Sequence, residues 1–380
     1  MIPHLYIHVP FCDGKCHYCG FYSVLNDAHL TGLYTPLPSK ELELVVKARP
    51  KIARFSPRTV YMGGGTPALL GEAGLSRLIE RLSEHLSFAS VEEWTVELNP
   101  ASVSRSLLNA LRKLGVNRLS IGVQSFNDAT LARIGRRHDA RAADQAVHLA
   151  QETGFENTGI DLIAGLPGVT PAIWQATLEH AVSLKLKHLS VYALSVEPGT
   201  VLARQKEEGL VLPDDGDQLS ALKHAEAVLG QAGFERYEIS NYAQPGQECR
   251  HNLGIWRGND YLGLGPAAAS RLGDARWTND PDVAGYMDSL AQKQLPPRTF
   301  ETLTPTDDAL ERVTFALRLA EGIDPSVVAQ RFACLRDRAA TWEERFERLM
   351  RHGITERGGR RWRLTARGRE ICDAVIRELL

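Results

Sequence analysis

The amino-acid sequence predicts an α/β fold organised around a parallel β-sheet that curves into a barrel or partial barrel. Short apolar runs of strand character recur along residues 1–204, and each is followed by a stretch with helical periodicity. Glycines or polar residues follow most of the runs within two positions. Repeated strand–helix units favour parallel sheets, because each helix carries the chain back across the sheet. The 380 residues also leave room for a second, smaller domain.

Six runs are predicted as strands: Leu5–Val9, Thr59–Met62, Trp94–Leu98, Arg118–Val123, Gly159–Ile163 and His188–Leu194. Between them, apolar side chains recur at helical spacing on single faces. These faces carry Leu75, Leu78, Ile79, Leu82 and Leu86, then Leu107, Leu111 and Leu114, then Trp174, Leu178 and Ala181. Active sites of such barrels lie at the carboxyl ends of the strands, so functional residues are expected there.

The composition gives no support for a nucleic-acid-binding, membrane-spanning or secreted protein. The 44 Lys and Arg nearly balance the 46 Asp and Glu, which gives no global argument for nucleic acid or an anionic membrane. No apolar run approaches the ~20 residues of a membrane span, and the amino terminus lacks the pattern of a secretory signal. Unpaired cysteines favour a reducing compartment, so we expect a cytoplasmic protein that meets membranes only through a partner.

Three of the six cysteines lie close together after the first predicted strand, at Cys12, Cys16 and Cys19. Clustered thiolates suit a soft metal centre, and three of them leave one iron of a [4Fe-4S] cubane without a protein ligand. A structural zinc site is the first alternative and would need His17 or the distant Cys249 as fourth ligand. A disulfide is the second, although three closely spaced cysteines in a long chain are a poor disulfide framework.

The Cys12-x3-Cys16-x2-Cys19 spacing resembles the radical S-adenosylmethionine (SAM) superfamily, whose fold is a partial (β/α)6 barrel. The run Tyr6–Cys12 is similar to the branch that holds oxygen-independent coproporphyrinogen III oxidase and the haem chaperones of the HemW type. The resemblance implies that the three thiolates hold the cubane and that SAM chelates its open iron. It also implies that one electron from the cluster can cleave SAM to a 5′-deoxyadenosyl radical.

The same resemblance implies a set of SAM-binding residues at successive strand ends: Tyr6, Tyr18, Gly64, Gly65, Thr66, Glu97, Gln124, Arg136, Asp161 and Ser195. The residue chemistry is compatible with these roles. Glycines let backbone N–H groups approach a ligand, and a carboxylate such as Glu97 can pair with a cation. Asp161 lies inside an apolar strand and needs a partner, for which ribose hydroxyls are suitable. For His8 we favour a hydrogen-bonded core residue over a functional one.

A second motif lies farther along the chain. His251-Asn252-Leu253-Gly254-Ile255-Trp256 resembles the His-Asn-x-x-Tyr-Trp haem-binding motif of HemW-like proteins, with Ile255 in place of the tyrosine. The resemblance implies that His251 ligates haem iron and that Trp256 stacks on the macrocycle. Cys249 is an alternative ligand or a buried thiol. Ala269 stands where the family usually has a histidine, which removes any function that depends on that side chain.

These patterns divide the chain into a radical SAM core at 1–204, an accessory region with the haem motif at 205–300, and a carboxyl-terminal domain at 301–380. The last part reads as helices and a hairpin around Gly358-Gly359, which resembles a winged-helix unit and the carboxyl-terminal domain of this branch. Its many arginines favour a solvated basic face, and we expect no nucleic-acid binding.

Two functions compete. The first is a haem chaperone that binds a [4Fe-4S] cluster, SAM and haem, takes electrons from a donor such as flavodoxin or ferredoxin, and passes haem to acceptor haemoproteins. The second is the coproporphyrinogen III oxidase of porphyrin biosynthesis. We expect no oxidase activity, because Phe21 occupies the position of a further oxidase cysteine and the oxidase's long amino-terminal extension is missing before Tyr6. A scaffold that has lost activity is a third interpretation, which the complete set of SAM residues disfavours.

Overall fold

A computed structural model describes residues 3–49 and 56–380 of the protein. Its β-strands are β1 (His4–Val9), β2 (Phe11–Cys12), β3 (Val24–Leu25), β4 (Thr59–Gly64), β5 (Glu93–Leu98), β6 (Arg118–Gln124), β7 (Asn157–Ala164), β8 (His188–Ala193), β9 (Glu235–Arg236), β10 (Asn241–Ala243), β11 (Tyr261–Leu264), β12 (Ala269–Leu272), β13 (Ala275–Asn279), β14 (Arg298–Thr302), β15 (Thr355–Gly358) and β16 (Arg361–Leu364).

The α-helices are α1 (Ala28–Tyr34), α2 (Leu37–Ala48), α3 (Gly71–Ser83), α4 (Arg105–Lys113), α5 (Asp128–Arg133), α6 (Ala140–Glu152), α7 (Pro171–Ser183), α8 (Val201–Glu207), α9 (Asp215–Gln231), α10 (Arg250–Trp256), α11 (Val283–Ala291), α12 (Pro305–Arg318), α13 (Pro325–Arg331), α14 (Arg336–Arg351), α15 (Ala366–Glu370) and α16 (Cys372–Leu379). Short 3-10 helices cover Pro67–Leu70, Pro100–Ser102 and Ala333–Leu335.

The predicted fold class is confirmed. Strands β1, β4, β5, β6, β7 and β8 lie side by side in that order, and every neighbouring pair is parallel. All six predicted strands are present, and their ends agree with the prediction to within two residues. The sheet stays open instead of closing on itself, since β8 pairs antiparallel with β10 and β1 pairs with β11. The predicted partial (β/α)6 barrel is therefore what the chain forms.

Helices α3, α4, α6 and α7 cover the outer face of the parallel sheet and form one continuous core with it. The apolar face predicted from Leu75, Leu78, Ile79 and Leu82 is buried in α3. Polar side chains begin several of these helices; Thr170, for example, accepts a hydrogen bond from the N–H of Ile173 at the start of α7. Such caps satisfy N–H groups that have no partner within the helix.

The region 205–300 joins the barrel sheet at both edges. Strands β9 and β10 extend the β8 edge, while β11, β12 and β13, followed by β14, extend the β1 edge. Apolar side chains from this region, including Leu229 and Trp277, belong to the same core as the barrel. The accessory region thus extends the sheet and shares most of its core with the barrel.

A second hydrophobic core lies within residues 309–379 and is formed by α12, α13, α14, α16 and the β15–β16 hairpin. Stacked rings of Phe346 and Trp362, with centroids 5.4 Å apart, lie at its centre. None of the helices in residues 3–49 and 56–380 combines the length and apolar character that a membrane span requires.

Candidate functional site

A cavity of about 550 Å³ opens at the carboxyl ends of the six parallel strands. This size falls within the ~300–1,000 Å³ of typical small-molecule sites. Twelve of the predicted cofactor and metal residues line it: Cys12, Cys16, Tyr18, Cys19, Gly64, Gly65, Thr66, Glu97, Gln124, Arg136, Asp161 and Ser195.

The three cysteines of the loop are free thiols, half-buried, and all face this cavity. The loop turns tightly, since the N–H of Cys19 donates to the carbonyl of Cys16 at 3.2 Å. Donors approach two of the sulfurs: the Thr66 hydroxyl lies 3.9 Å from Sγ of Cys12 and Nη1 of Arg136 lies 3.4 Å from Sγ of Cys16. Hydrogen bonds to the sulfurs are among the features by which a protein tunes an iron–sulfur cluster.

Within the described residues, no three His, Cys, Asp or Glu side chains converge as ligands of a single metal ion would. The thiolates of a cubane bind separate irons, so they surround a volume instead of a point. Three free thiols around one cavity, with Cys249, Cys334 and Cys372 all outside its lining, fit the donor set of a cluster with one open iron.

The glycine turn after β4 lies directly against Glu97. The N–H of Gly64 donates to Oε2 of Glu97 at 3.1 Å, and the hydroxyl of Tyr61 donates to Oε1 at 2.8 Å. A Cβ on Gly63 would come within 2.5 Å of the same carboxylate, so a side chain at this position would displace Glu97. Burial is the main reason that the pKa of Glu97 is raised to about 7. This carboxylate is poised to bind a cation that enters the cavity.

Gln124 ends β6 with φ at +70°, a left-handed conformation that is uncommon for a residue with a side chain. The register of β6 against β7 shifts between Gly122 and Gln124, so an irregularity redirects the chain at this point. Strained backbone of this kind is concentrated at ligand sites.

The structure distinguishes between the two neighbouring arginines. The Arg136 guanidinium lines the cavity and donates to Sγ of Cys16, to Oδ1 of Asn99 and to the carbonyl of Gly122. Arg137 lies outside the cavity, is exposed, and reaches the backbone and carboxylate of Asp13. Arg136 is therefore the arginine available to a ligand carboxylate.

The far wall combines carboxylates with apolar surface. Oγ of Ser120 donates to both oxygens of Asp161 at 3.2 and 3.3 Å, and burial raises the pKa of Asp161 above its usual value. Oγ of Ser195 donates to Oε1 of Glu197 at 2.5 Å. Tyr18 packs against a small apolar cluster that includes Ile163 and Leu194, and both also line the cavity. An apolar slot beside carboxylates suits a nucleoside, with its base in the slot and its ribose hydroxyls on the acids.

Tyr6 is the one predicted SAM residue that lies outside the cavity lining. Its hydroxyl is 3.0 Å from Nδ1 of His8, and its ring packs near Tyr61 beneath Glu97. His8 is 4% exposed, and its Nε2 donates to the carbonyl of Tyr22 at 3.0 Å, so Nδ1 accepts from Tyr6. Burial lowers the pKa of His8 to about 4. Both residues pack behind the cavity wall. His8 has the hydrogen-bonded core environment predicted for it.

Several lining residues were missed from the sequence: Asn99, Ser120, Tyr192 and Glu197. Ser120 and Tyr192 each lie two residues from another inward-facing position on the same strand. Strand alternation places Ser120 on the same face as Gly122, which is paired with Asp161, but no predicted site residue lies within β8 to indicate the face of Tyr192. Asn99 directly follows Glu97 and Leu98 at a strand end, where a polar residue could have been expected.

The structure separates the members of the haem motif. His251 is 4% exposed, at the amino ends of the parallel strands, with Nδ1 2.8 Å from Oγ1 of Thr59. Cys249 is also buried and donates to Oε1 of Glu93. Trp256 instead lines a second cavity of about 770 Å³, between the barrel and the carboxyl-terminal core. His251 and Trp256 therefore lie in different environments, and neither lines the cysteine cavity.

Comparison with known proteins gives a consistent result. The family model of the Radical SAM superfamily matches residues 6–181. The haem chaperone HemW of Mycobacterium tuberculosis is 37% identical over 99% of this chain and 94% of its own length. HemW of Bacillus subtilis is 34% identical over 86% of both chains. Among solved structures, coproporphyrinogen III oxidase (HemN) from Escherichia coli, a radical SAM enzyme, matches with a TM-score of 0.84 and 28% identity, covering 100% of this chain and 90% of that one.

Proposed function

Because the chain belongs to the HemW family of the radical SAM superfamily, we propose that it is a haem chaperone that binds a [4Fe-4S] cluster, SAM and haem, and passes the haem to acceptor haemoproteins. One observation carries the proposal: the similarity to a haem chaperone HemW extends over 99% of the chain at 37% identity and so includes more than the SAM-binding core. Function is argued from the site as well as from this likeness, since one fold serves many functions.

Cys12, Cys16 and Cys19 would hold the cluster, since all three thiols face one cavity at the strand ends. When bound, the cluster would supply a soft iron with an open coordination position, and it would also act as a one-electron reductant. The remaining residues act on SAM by binding and orienting it. A small external electron donor, such as flavodoxin or ferredoxin, is part of the proposal.

The predicted SAM-binding residues of the cavity have matching groups on SAM. The Glu97 carboxylate and the backbone of Gly64 and Gly65 would bind the methionyl end, while Arg136 would pair with its carboxylate. Asp161 and Ser195 would bind the ribose hydroxyls, and Tyr18 would border the adenine. Gln124, held at positive φ, would orient the part of SAM that joins these two ends.

Coproporphyrinogen III oxidation is a second candidate, favoured by the close structural match with HemN at a TM-score of 0.84. Two observations weigh against it. The chain is less identical to that oxidase, at 28%, than to the haem chaperones. Phe21 is 71% exposed at the cluster loop, at the position where the oxidase pattern has a further cysteine. We propose that the chain lacks oxidase activity.

Anaerobic reconstitution followed by two parallel assays tests the proposal. The reconstituted protein should contain about four irons and bind haem, and it should transfer that haem to an apo-haemoprotein. It should release no carbon dioxide from coproporphyrinogen III in the presence of SAM and reductant. Decarboxylation without haem binding would favour the oxidase function over the chaperone function. Absence of both decarboxylation and haem binding would overturn both functions.

A further inference from the structure

The second cavity is a separate site that the SAM-binding machinery does not use. Its volume is about 770 Å³, and it lies between the end of β8, the end of α10 and helix α16. Tyr192 lines this cavity and the cysteine cavity alike, and its side chain remains 41% exposed. The two cavities therefore share one wall, and a ligand in the second one would lie beside the SAM site.

The lining of this cavity pairs flat apolar surface with cations. Trp256 is half-buried and held edge-on by Phe315, with ring centroids 5.5 Å apart. Ile239 and Ile371 add aliphatic surface. The rest of the lining is mostly polar or charged, so the cavity offers one aromatic wall beside cations, which suits a planar ligand that carries carboxylates.

Three arginines line the cavity, and they differ in how fully they are engaged. Arg369 is held by Glu226, while Arg318 donates to Oδ1 of Asp373 at 2.7 Å. The Asp373 side chain is 69% exposed, so this pair is weak and easily exchanged for another carboxylate. Arg377 is exposed and forms no salt bridge in the described part of the chain. Arg318 and Arg377 are thus available to the carboxylates of a ligand.

The acids of the cavity do not cancel this basic character. Glu238 is 2% exposed and accepts hydrogen bonds from Ser240 and Asn241, and burial raises its pKa. Glu370 is occupied by Lys223 at 2.9 Å. Neither is a free negative charge. Asp373, the third acid of the lining, is released when Arg318 binds a ligand, but its side chain is 69% exposed and solvent screens its charge.

One sulfur lies in the lining, that of Cys372 at the start of α16. Its residue is 6% exposed and is a free thiol. Thiolates are established axial ligands of haem iron. His251 lies in the core with Thr59 as its partner, and Cys249 is fully buried, so neither reaches this cavity.

We infer that the second cavity binds the haem, with Trp256 and Tyr192 against the macrocycle, Arg318 and Arg377 on its propionates, and Cys372 as the axial ligand. The inference rests on the proposed function, since it assumes that the protein binds haem at all. Ligation forms one iron–sulfur bond and releases the thiol proton to solvent; no electron is transferred. It also explains why the motif residue Trp256 faces a cavity while His251 does not.

Titration of the full-length protein with haem and with metal-free protoporphyrin tests this assignment. Reversing both charges, Arg318→Glu with Arg377→Glu, should weaken the binding of both haem and metal-free protoporphyrin by at least about tenfold. The matched control, Arg351→Glu with Arg360→Glu, changes two exposed arginines of the same domain that do not line the cavity, and should bind as wild type. Retained SAM binding together with an unchanged thermal unfolding transition in each variant shows that both the barrel and the carboxyl-terminal core are intact.

The axial ligand has its own test. Cys372→Ser should remove the red-shifted Soret band of a thiolate-ligated ferrous–CO haem while leaving the affinity for metal-free protoporphyrin unchanged, and Cys334→Ser, at an exposed thiol, should change neither. Wild-type affinity and spectrum in the Arg318/Arg377 and Cys372 variants would overturn the inference, as would loss of the axial ligand only in His251→Ala. Failure of the wild-type protein to bind haem would instead overturn the proposed function.

Discussion

The Tyr61 hydroxyl donates a 2.8 Å hydrogen bond to Oε1 of Glu97, which also accepts from the Gly64 N–H on its other oxygen. Two donors stabilise the carboxylate, yet burial outweighs them and keeps the pKa of Glu97 at about 7 instead of its usual 4.5. The free protein therefore holds a charge that it would prefer to neutralise. A cationic ligand in the cavity relieves this unfavourable state, which links SAM binding to the protonation of Glu97.

We predict that Glu97→Gln stabilises the free protein more at pH 8 than at pH 5. Because the folded pKa of Glu97 is raised, the folded wild type binds a proton more tightly than the unfolded chain. Its stability therefore falls relative to the variant as pH rises from about 4.5 to about 7. The pH-dependent gain should be about 1–3 kcal/mol, less than the full shift because the carboxylate also faces a wet cavity. Urea unfolding at both pH values measures it.

Glu80→Gln is the control, since Glu80 is an exposed carboxylate of α3 away from the cavity. Its effect on the free energy of unfolding should be the same at both pH values. Glu97→Gln should also weaken SAM binding, because the cation then loses its partner. An equal effect of Glu97→Gln at pH 5 and pH 8 would mean that this carboxylate is not buried as described.

Gln124 provides a second trade-off between stability and binding. We predict that Gln124→Gly raises the free energy of unfolding by about 1 kcal/mol, because glycine accepts the φ of +70° without strain. SAM binding should nevertheless fall, since the amide at the cavity wall is lost. Gln124→Ala should lose binding as well but gain no stability. Calorimetric melting with and without SAM separates the two effects.

The contrast between the two glutamine variants makes this prediction specific. A stabilised Gln124→Gly variant that binds SAM as wild type would show that the amide is dispensable and that the positive φ serves another purpose. Equal stability of the glycine and alanine variants would show that no strain is stored at this residue.

The barrel core could be predicted from the sequence because its signals are local. Apolar runs such as Arg118–Val123 and faces such as that of Leu75, Leu78 and Ile79 are set by neighbouring residues, and the strand order follows the chain order. The site at the strand ends follows from the same geometry. Geometry predicts only this location; the individual residues, such as Glu97 and Asp161, were implied by the resemblance to the radical SAM superfamily.

The environment of His251 and the second cavity depend on contacts between residues that are distant in sequence. The direction of the His251 side chain is fixed by Thr59, which lies 192 positions earlier, and Glu93 caps the same helix by accepting from the N–H of His251. A motif names the residue but does not give the face of α10 that it occupies. The cavity beside Trp256 takes lining residues from both β8 and α16, which are distant in sequence, and no local pattern indicates that they share a cavity.

The three cysteines of the loop carry the cluster assignment. Changing Cys12, Cys16 and Cys19 to alanine together should abolish bound iron and sulfide and the thiolate-to-iron absorption of the reconstituted protein, because no other cysteine lines that cavity. Cys334→Ala, at an exposed thiol of the carboxyl-terminal domain, should keep a full complement of iron. Iron content that survives the triple change would place the metal elsewhere.

Gly65 lies where the glycine turn meets the cysteine loop, and we predict that Gly65→Ala loses the cluster. The new Cβ would stand 2.5 Å from the carbonyl oxygen of Phe11 and 2.7 Å from that of Val9, and backbone atoms cannot move aside as a side chain can. The strand end and loop would have to shift, which displaces Cys12 and costs about 1–3 kcal/mol of stability. Gly32→Ala, in α1 with no atom within 4 Å of the new Cβ, is the matched control and should stabilise slightly. Iron content and thermal unfolding of the two variants decide the point: a Gly65→Ala protein that melts as wild type and holds full iron would show that the loop does not depend on this contact.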